Sequence, residues 1–130
     1  MENPMNLYPY ENYFFLRSPN VTYSITINRA ARRLTLYKNG KVYKTYPVAV
    51  GKSGTPTPAG TFRIINKQIN PGGPYGARWM GLSAKGIGIH GTNNPHSIGS
   101  YVSNGCIRMY NKDVIELFNI VPVGTVVRII

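Results

Sequence analysis

A chain of 130 residues can bury one hydrophobic core and leaves no room for a second domain of comparable size. Fifteen Lys and Arg against four Asp and Glu give a formal charge of +11, too lopsided for an indifferent surface, so a polyanionic environment is expected, with nucleic acid as one candidate. The single cysteine excludes an intrachain disulfide, and one Cys with two His falls short of a four-ligand structural zinc site, so no metal and no cofactor is expected.

The basic residues are scattered from Arg17 to Arg128, with Arg32-Arg33 the one adjacent pair. That distribution predicts a general field instead of a sequence-reading element. Met1-Glu2-Asn3-Pro4 opens with an acid where a signal peptide carries basic residues, and no apolar h-region follows, so no signal peptide is expected. No apolar run approaches the roughly 20 residues of a membrane span.

Residues 1–20 are rich in Tyr, Pro and Asn without clean periodicity and are expected to form an N-terminal arm, its aromatics (Tyr8, Tyr10, Tyr13, Phe14, Phe15) packing onto a domain of residues 21–130. Tyr23 to Asn28 alternates with period two and is β-branched, which predicts a half-buried strand, and Leu34 to Lys38 continues in the same style after a turn at Arg29 to Arg33. Asn39-Gly40 sits between two such runs. Both residues tolerate positive φ, so a tight hairpin is expected, with Val42 to Val50 as the returning strand.

Thr55-Pro56-Thr57-Pro58-Ala59-Gly60 interrupts the ladder before a strand from Thr61 to Ile65. Asn66 to Met80, with Pro71-Gly72-Gly73-Pro74 inside it, reads as a long loop, either a lid carrying Trp79 or a surface excursion. Gly86 to His90 reads as a short strand with a histidine at its end. After Cys106 comes one helix: Asn111 suits the N-cap, Asp113 puts an acid in the first turn, and Val114, Leu117 and Phe118 share a face. Thr125 to Ile130 forms the last strand. One helix among about seven strands predicts a mainly-β single domain, a sandwich or partly closed barrel, with the short helix after the cysteine.

The chemistry lies between His90 and Cys106. Taken singly, a lone cysteine is most often a small buried apolar residue and a lone histidine a satisfied core residue. Together they suggest a nucleophile and its base, because a thiol with a free pKa of about 8.5 becomes reactive when an imidazole accepts its proton and the resulting cation stabilises the thiolate. Gly105, directly before the cysteine, leaves backbone N–H groups uncovered, which suits an oxyanion hole built from the Gly105 and Cys106 amides. Ser103 and Asn104 are expected to shape the cysteine loop. Arg108 is expected either to hold a carboxylate in a bidentate pair or to tie the loop to the domain's own carbonyls. His96, in a Pro-Ser-Gly-rich stretch, is expected to be a solvated loop residue.

The His90-Gly91 pair, the Ser103-Asn104-Gly105-Cys106-Ile107-Arg108 run and the upstream Thr55-Pro56-Thr57-Pro58-Ala59-Gly60-Thr61-Phe62 resemble the catalytic domain of the L,D-transpeptidases, the YkuD-type family, from about Tyr23 to Ile130. One departure is Asn104, where many members carry a second histidine. The resemblance implies acyl transfer on peptidoglycan stem peptides through a Cys106 thioester with release of D-alanine. His90 is then base and acid, and the Gly91 backbone carbonyl orients it. Water in place of an acceptor amine makes the same site an L,D-carboxypeptidase. The family setting favours anionic wall polymers as the polyanion, with no nucleic acid partner, and points to a monomer in the cell wall or spore envelope. A non-catalytic basic β domain that binds wall polymer or nucleic acid is the alternative class, which the fifteen aromatic residues permit.

Overall fold

The computed structural model describes residues 20–130, so the expected N-terminal arm lies outside the described residues apart from Asn20. Nine strands and one α-helix follow in chain order: β1 (Tyr23–Asn28), β2 (Arg33–Lys38), β3 (Lys41–Gly51), β4 (Gly60–Ile69), β5 (Arg78–Leu82), β6 (Gly88–His90), β7 (Tyr101–Ser103), β8 (Ile107–Met109), α1 (Asn111–Ile120) and β9 (Val126–Ile129). No helix among them is long and apolar enough to cross a membrane.

The strands pair in the order β2-β1-β9-β4-β5-β6-β8-β3-β7, and a further β2–β3 pairing joins the two flanks of that row. The closure comes from β3. Its first half pairs antiparallel with β2, from Lys38↔Lys41 to Arg33↔Pro47, and its second half leaves β2 to pair with β8 at Val48↔Met109 and with β7 at Val50↔Tyr101. The result is the barrel of the two expected architectures, eight strands around, which leaves few open edges to manage.

Alternation sets the core. Ile25 and Ile27 on β1 face Leu36 and Leu34 on β2, Val127 and Ile129 repeat the pattern on β9, and all six are at most 2% exposed. Asn39 and Gly40 adopt φ of 53° and 80°, the backbone that the expected hairpin requires. Val114 and Leu117 of α1 are fully buried, while Phe118 packs at the margin with the Lys67 ammonium 4.2 Å from its ring centre.

Two expectations are corrected. Asn66–Met80 is not one loop: β4 runs on to Ile69 and β5 starts at Arg78, paired through Asn66↔Gly81, Lys67↔Met80, Gln68↔Trp79 and Ile69↔Arg78. The polar run Asn66-Lys67-Gln68 conceals a strand because the β5 backbone satisfies it, and the connection shrinks to residues 70–77 around a short 3-10 turn, Gly73–Tyr75. The N-cap position of α1 falls at Tyr110, not Asn111, and no side chain caps it. Asn111 lies inside the helix, and its amide bonds elsewhere.

Candidate active site

Register brings the functional side chains to one face. Met80, Ile89 and Ile107 are paired across β5, β6 and β8 and point into the core, all fully buried. Their neighbours Trp79, His90 and Arg108 are likewise paired across the same three strands, so period-two alternation turns them to the opposite face. Cys106 stands two residues before Arg108 and shares its side. His90 and Cys106 line a pocket of about 190 Å³ together with Pro74, Tyr75, Ser103, Asn104 and Arg108.

Two aromatic rings and a backbone carbonyl hold the imidazole. Trp79 stacks on it with ring centres 5.7 Å apart and planes 16° apart, and Tyr75 meets it edge-on at 5.0 Å. Trp79 is itself fixed by an Nε1–H bond to Asn66 Oδ1 of 3.1 Å, and it lies over Gly88, where a Cβ would fall 2.5 Å from the ring. Trp79 therefore belongs to the strand that carries the site, not to a lid. Tyr75, which the sequence does not single out, is the aromatic that the 70–77 connection contributes.

His90 Nδ1 lies 2.5 Å from the Gly91 carbonyl oxygen. A carbonyl only accepts, so Nδ1 carries the hydrogen and Nε2 of the neutral ring keeps its lone pair for a proton. His90 is 3% exposed. Burial pulls its pKa below the ordinary 6.5, the Arg108 charge adds to that, and the Gly91 carbonyl partly opposes it. Burial also pushes the Cys106 thiol up, against the opposing influence of a Gly88 backbone bond and of Arg108. Both shifts favour neutral partners, so a standing imidazolium–thiolate pair, as expected from the residues alone, is disfavoured. At rest the thiol S–H donates to the Gly86 carbonyl at 3.6 Å.

The cysteine loop is tied at three points. Ser103 Oγ–H donates to the Cys106 carbonyl at 2.6 Å and accepts the Gly105 N–H at 3.1 Å. Thr55 Oγ1–H donates to the Ser103 carbonyl at 2.9 Å, and the buried Thr57 hydroxyl accepts the Gly51 N–H at 2.9 Å while donating to the Gly105 carbonyl at 2.8 Å. The Thr-Pro-Thr-Pro segment thus braces the nucleophile, which its proline content alone did not indicate. Ser103 Oγ thus bonds to the backbone of both Gly105 and Cys106 within the cysteine loop. Of the expected oxyanion pair, the Gly105 N–H is engaged at rest by Ser103, two residues earlier.

Asn104 Oδ1 accepts from the Lys52 ammonium at 2.8 Å on the exposed side of the loop. The Arg108 guanidinium makes no hydrogen bond or ion pair among the described residues, so the expected tie to the domain's own carbonyls is not formed. His96 is exposed on the turn Pro95–Ser97, away from the pocket. A larger cavity of about 740 Å³ opens elsewhere, between Arg29, Val50 and Tyr101, and contains none of the chemistry-bearing residues.

The profile of the L,D-transpeptidase catalytic domain (YkuD) matches residues 22–129. The Bacillus subtilis protein named L,D-transpeptidase YkuD is 62% identical over 109 residues, covering 84% of this chain and 66% of that protein. The Bacillus licheniformis protein of the same name is 56% identical over 115 residues, covering 88% and 70%. Among solved structures, the catalytic domain of the Enterococcus faecium L,D-transpeptidase is similar with a TM-score of 0.74 at 30% identity, covering 83% of this chain and 96% of that one. The chain therefore spans about two thirds of the length of its Bacillus relatives.

Proposed function

Since the chain belongs to the L,D-transpeptidase catalytic-domain family, a family of enzymes, we propose that it transfers acyl groups between peptidoglycan stem peptides, with Cys106 as nucleophile and His90 as base. The observation that carries this reading is the convergence of Cys106, His90 and Arg108, which has no polar partner among the described residues, on one small pocket, with the His90 ring oriented by Gly91.

In the first half-reaction the Cys106 thiol swings from the Gly86 carbonyl toward Nε2 of His90, which takes its proton as sulfur attacks the carbonyl of the third stem residue. The oxyanion faces the Cys106 N–H. The carbon–nitrogen bond then breaks, Nε2–H protonates the leaving amine of D-alanine, and a thioester remains. In the second half-reaction an amine of a neighbouring stem attacks the thioester, loses its proton to Nε2 and releases the thiol, forming a 3→3 cross-link. Arg108 receives a stem carboxylate in a charge-assisted pair. Tyr75 and Trp79 form an apolar wall beside the base that limits water at the thioester and favours the amine. The +11 charge suits anionic wall polymers and a location in the cell wall or spore envelope.

The solved avibactam carbamoyl enzyme of Ldtfm, a structural neighbour at 31% identity and a TM-score of 0.72, is consistent with an acyl-accepting group in this fold. A silent binding module would have no use for an oriented imidazole that shares a pocket with a half-buried thiol. Incubation with a disaccharide-tetrapeptide, followed by chromatography and mass analysis, tests the proposal. A cross-linked dimer with free D-alanine is expected as the main product. Tripeptide alone would assign an L,D-carboxypeptidase, and unchanged substrate would overturn the enzymatic reading.

A further inference from the structure

We infer that Asn111 is a positioning residue for the general base, acting through the peptide unit that joins Gly91 to Thr92. The inference rests on the role proposed above for His90.

That peptide unit has two ends. Its carbonyl, from Gly91, receives the His90 Nδ1–H, and its N–H, from Thr92, donates to Asn111 Oδ1 at 3.1 Å. The described residues contain no cis peptide, so the carbonyl and the N–H point in opposite directions in one plane. Gripping the N–H therefore aims the carbonyl. The same side-chain amide also donates from Nδ2 to the Thr92 carbonyl at 3.0 Å, which fixes the next peptide and prevents the first from rotating. Oδ1 accepts a second bond, from the Ala77 N–H at 3.0 Å, so the end of the connection that carries Tyr75 is secured by the same group.

The backbone around Asn111 leaves room for this amide and nothing more. A Cβ built on Gly91 would lie 2.1 Å from Asn111 Oδ1, and one built on Gly76 would lie 2.3 Å from it. The absence of a side chain at 91 is thus a requirement of the Asn111 amide, whereas at 76 the Gly91-Thr92 backbone excludes a Cβ as well. An ordinary N-cap residue bonds the first turn of its own helix. Asn111 instead spends every bond on the two segments that flank the imidazole, and α1 starts without a side-chain cap. A base that must keep its proton on Nδ1 needs a fixed acceptor there, because the other tautomer presents N–H, not a lone pair, to the thiol.

Two variants test this with two readouts. The ¹⁵N shifts of the His90 ring report its tautomer, and the rate of acylation by a carbapenem, followed by intact mass, reports its function. Asn111→Ala should let the neutral ring average between both tautomers and slow acylation by roughly tenfold to a hundredfold, the size of loss that follows removal of a partner orienting a metal-bound histidine. Asn111→Asp retains the oxygen that accepts from Thr92 and Ala77 but gives up the Nδ2–H bond to the Thr92 carbonyl, and should keep the Nδ1–H tautomer while recovering part of the rate.

A folded Asn111→Ala variant that keeps the Nδ1–H tautomer and wild-type acylation would overturn the inference. If that variant does not fold, Asn111→Asp decides: an averaged tautomer there overturns it equally. Failure of the wild-type protein to acylate at all would count against the proposed function instead, and leaves the tautomer comparison as the test of Asn111.

Discussion

Cys106→Ala should abolish covalent labelling by carbapenems and leave the fold intact. A carbapenem offers a strained amide carbonyl to whatever nucleophile the site holds, and Cys106 holds the one thiol of the chain. The substitution removes a single sulfur from a half-buried position. What it gives up structurally is the weak S–H bond to Gly86 and the Gly88 backbone bond to sulfur, whereas the braces from Ser103, Thr55 and Thr57 all reach the loop through its backbone. Intact-mass spectrometry should therefore show a stoichiometric adduct on the wild type and none on the variant. A full acyl adduct on Cys106→Ala would place the nucleophile elsewhere.

His90→Ala should slow acylation by roughly 10²–10⁴, the range of lost general-base catalysis, whereas His96→Ala should leave the rate unchanged. The pH profile separates the base from a merely packed ring. Burial among Tyr75 and Trp79, with Arg108 the one charged neighbour in the pocket, disfavours the imidazolium, so His90 stays a free base at pH values somewhat below 6.5 and the wild-type rate should fall only on further acidification. Burial shifts the thiol the other way, above its ordinary range, so little spontaneous thiolate forms near neutrality and the rate should be level between the two limbs. In His90→Ala the plateau should vanish, with a rate that climbs steadily with pH as the thiolate forms without help. The defect should narrow toward alkaline pH. Equal rates for the two histidine variants, or an unchanged plateau in His90→Ala, would remove His90 from the proton transfer.

The parts of this molecule legible in its sequence are those that local chemistry decides. Asn39-Gly40 announced its hairpin because few residue pairs tolerate two positive φ values in succession, and the Val114/Leu117 face announced the helix through its spacing. His90 and Cys106 stood out as a pair of reactive types in a chain otherwise poor in them. The rest depends on contacts distant in sequence. Asn66-Lys67-Gln68 looks like a loop until β5 supplies its hydrogen bonds. Strands β7 and β8, three residues each, are too short to show a period at all.

Several site residues were hidden for the same reason. Tyr75 sits in a Pro-Gly segment with no periodicity, and it reaches His90 because the β4–β5 pairing brings residues 70–77 over the β6 end. Asn111 offered a good local explanation as an N-cap, and that explanation concealed a bridge to residues 77 and 92. The Gly105 amide seemed free because a glycine leaves its N–H uncovered. Ser103, two positions earlier, is a residue type known for bonding a backbone N–H two residues on, and that signal was available.

Capture of the acyl-enzyme tests the central claim most directly. The protein would be mixed briefly with a disaccharide-tetrapeptide, quenched in acid, digested and mapped by mass spectrometry. A disaccharide-tripeptide joined as a thioester to the peptide containing Cys106, formed in step with released D-alanine and lost on adding an acceptor amine, is the expected result. Release of D-alanine at full rate with no thioester on Cys106 at any time would contradict the account.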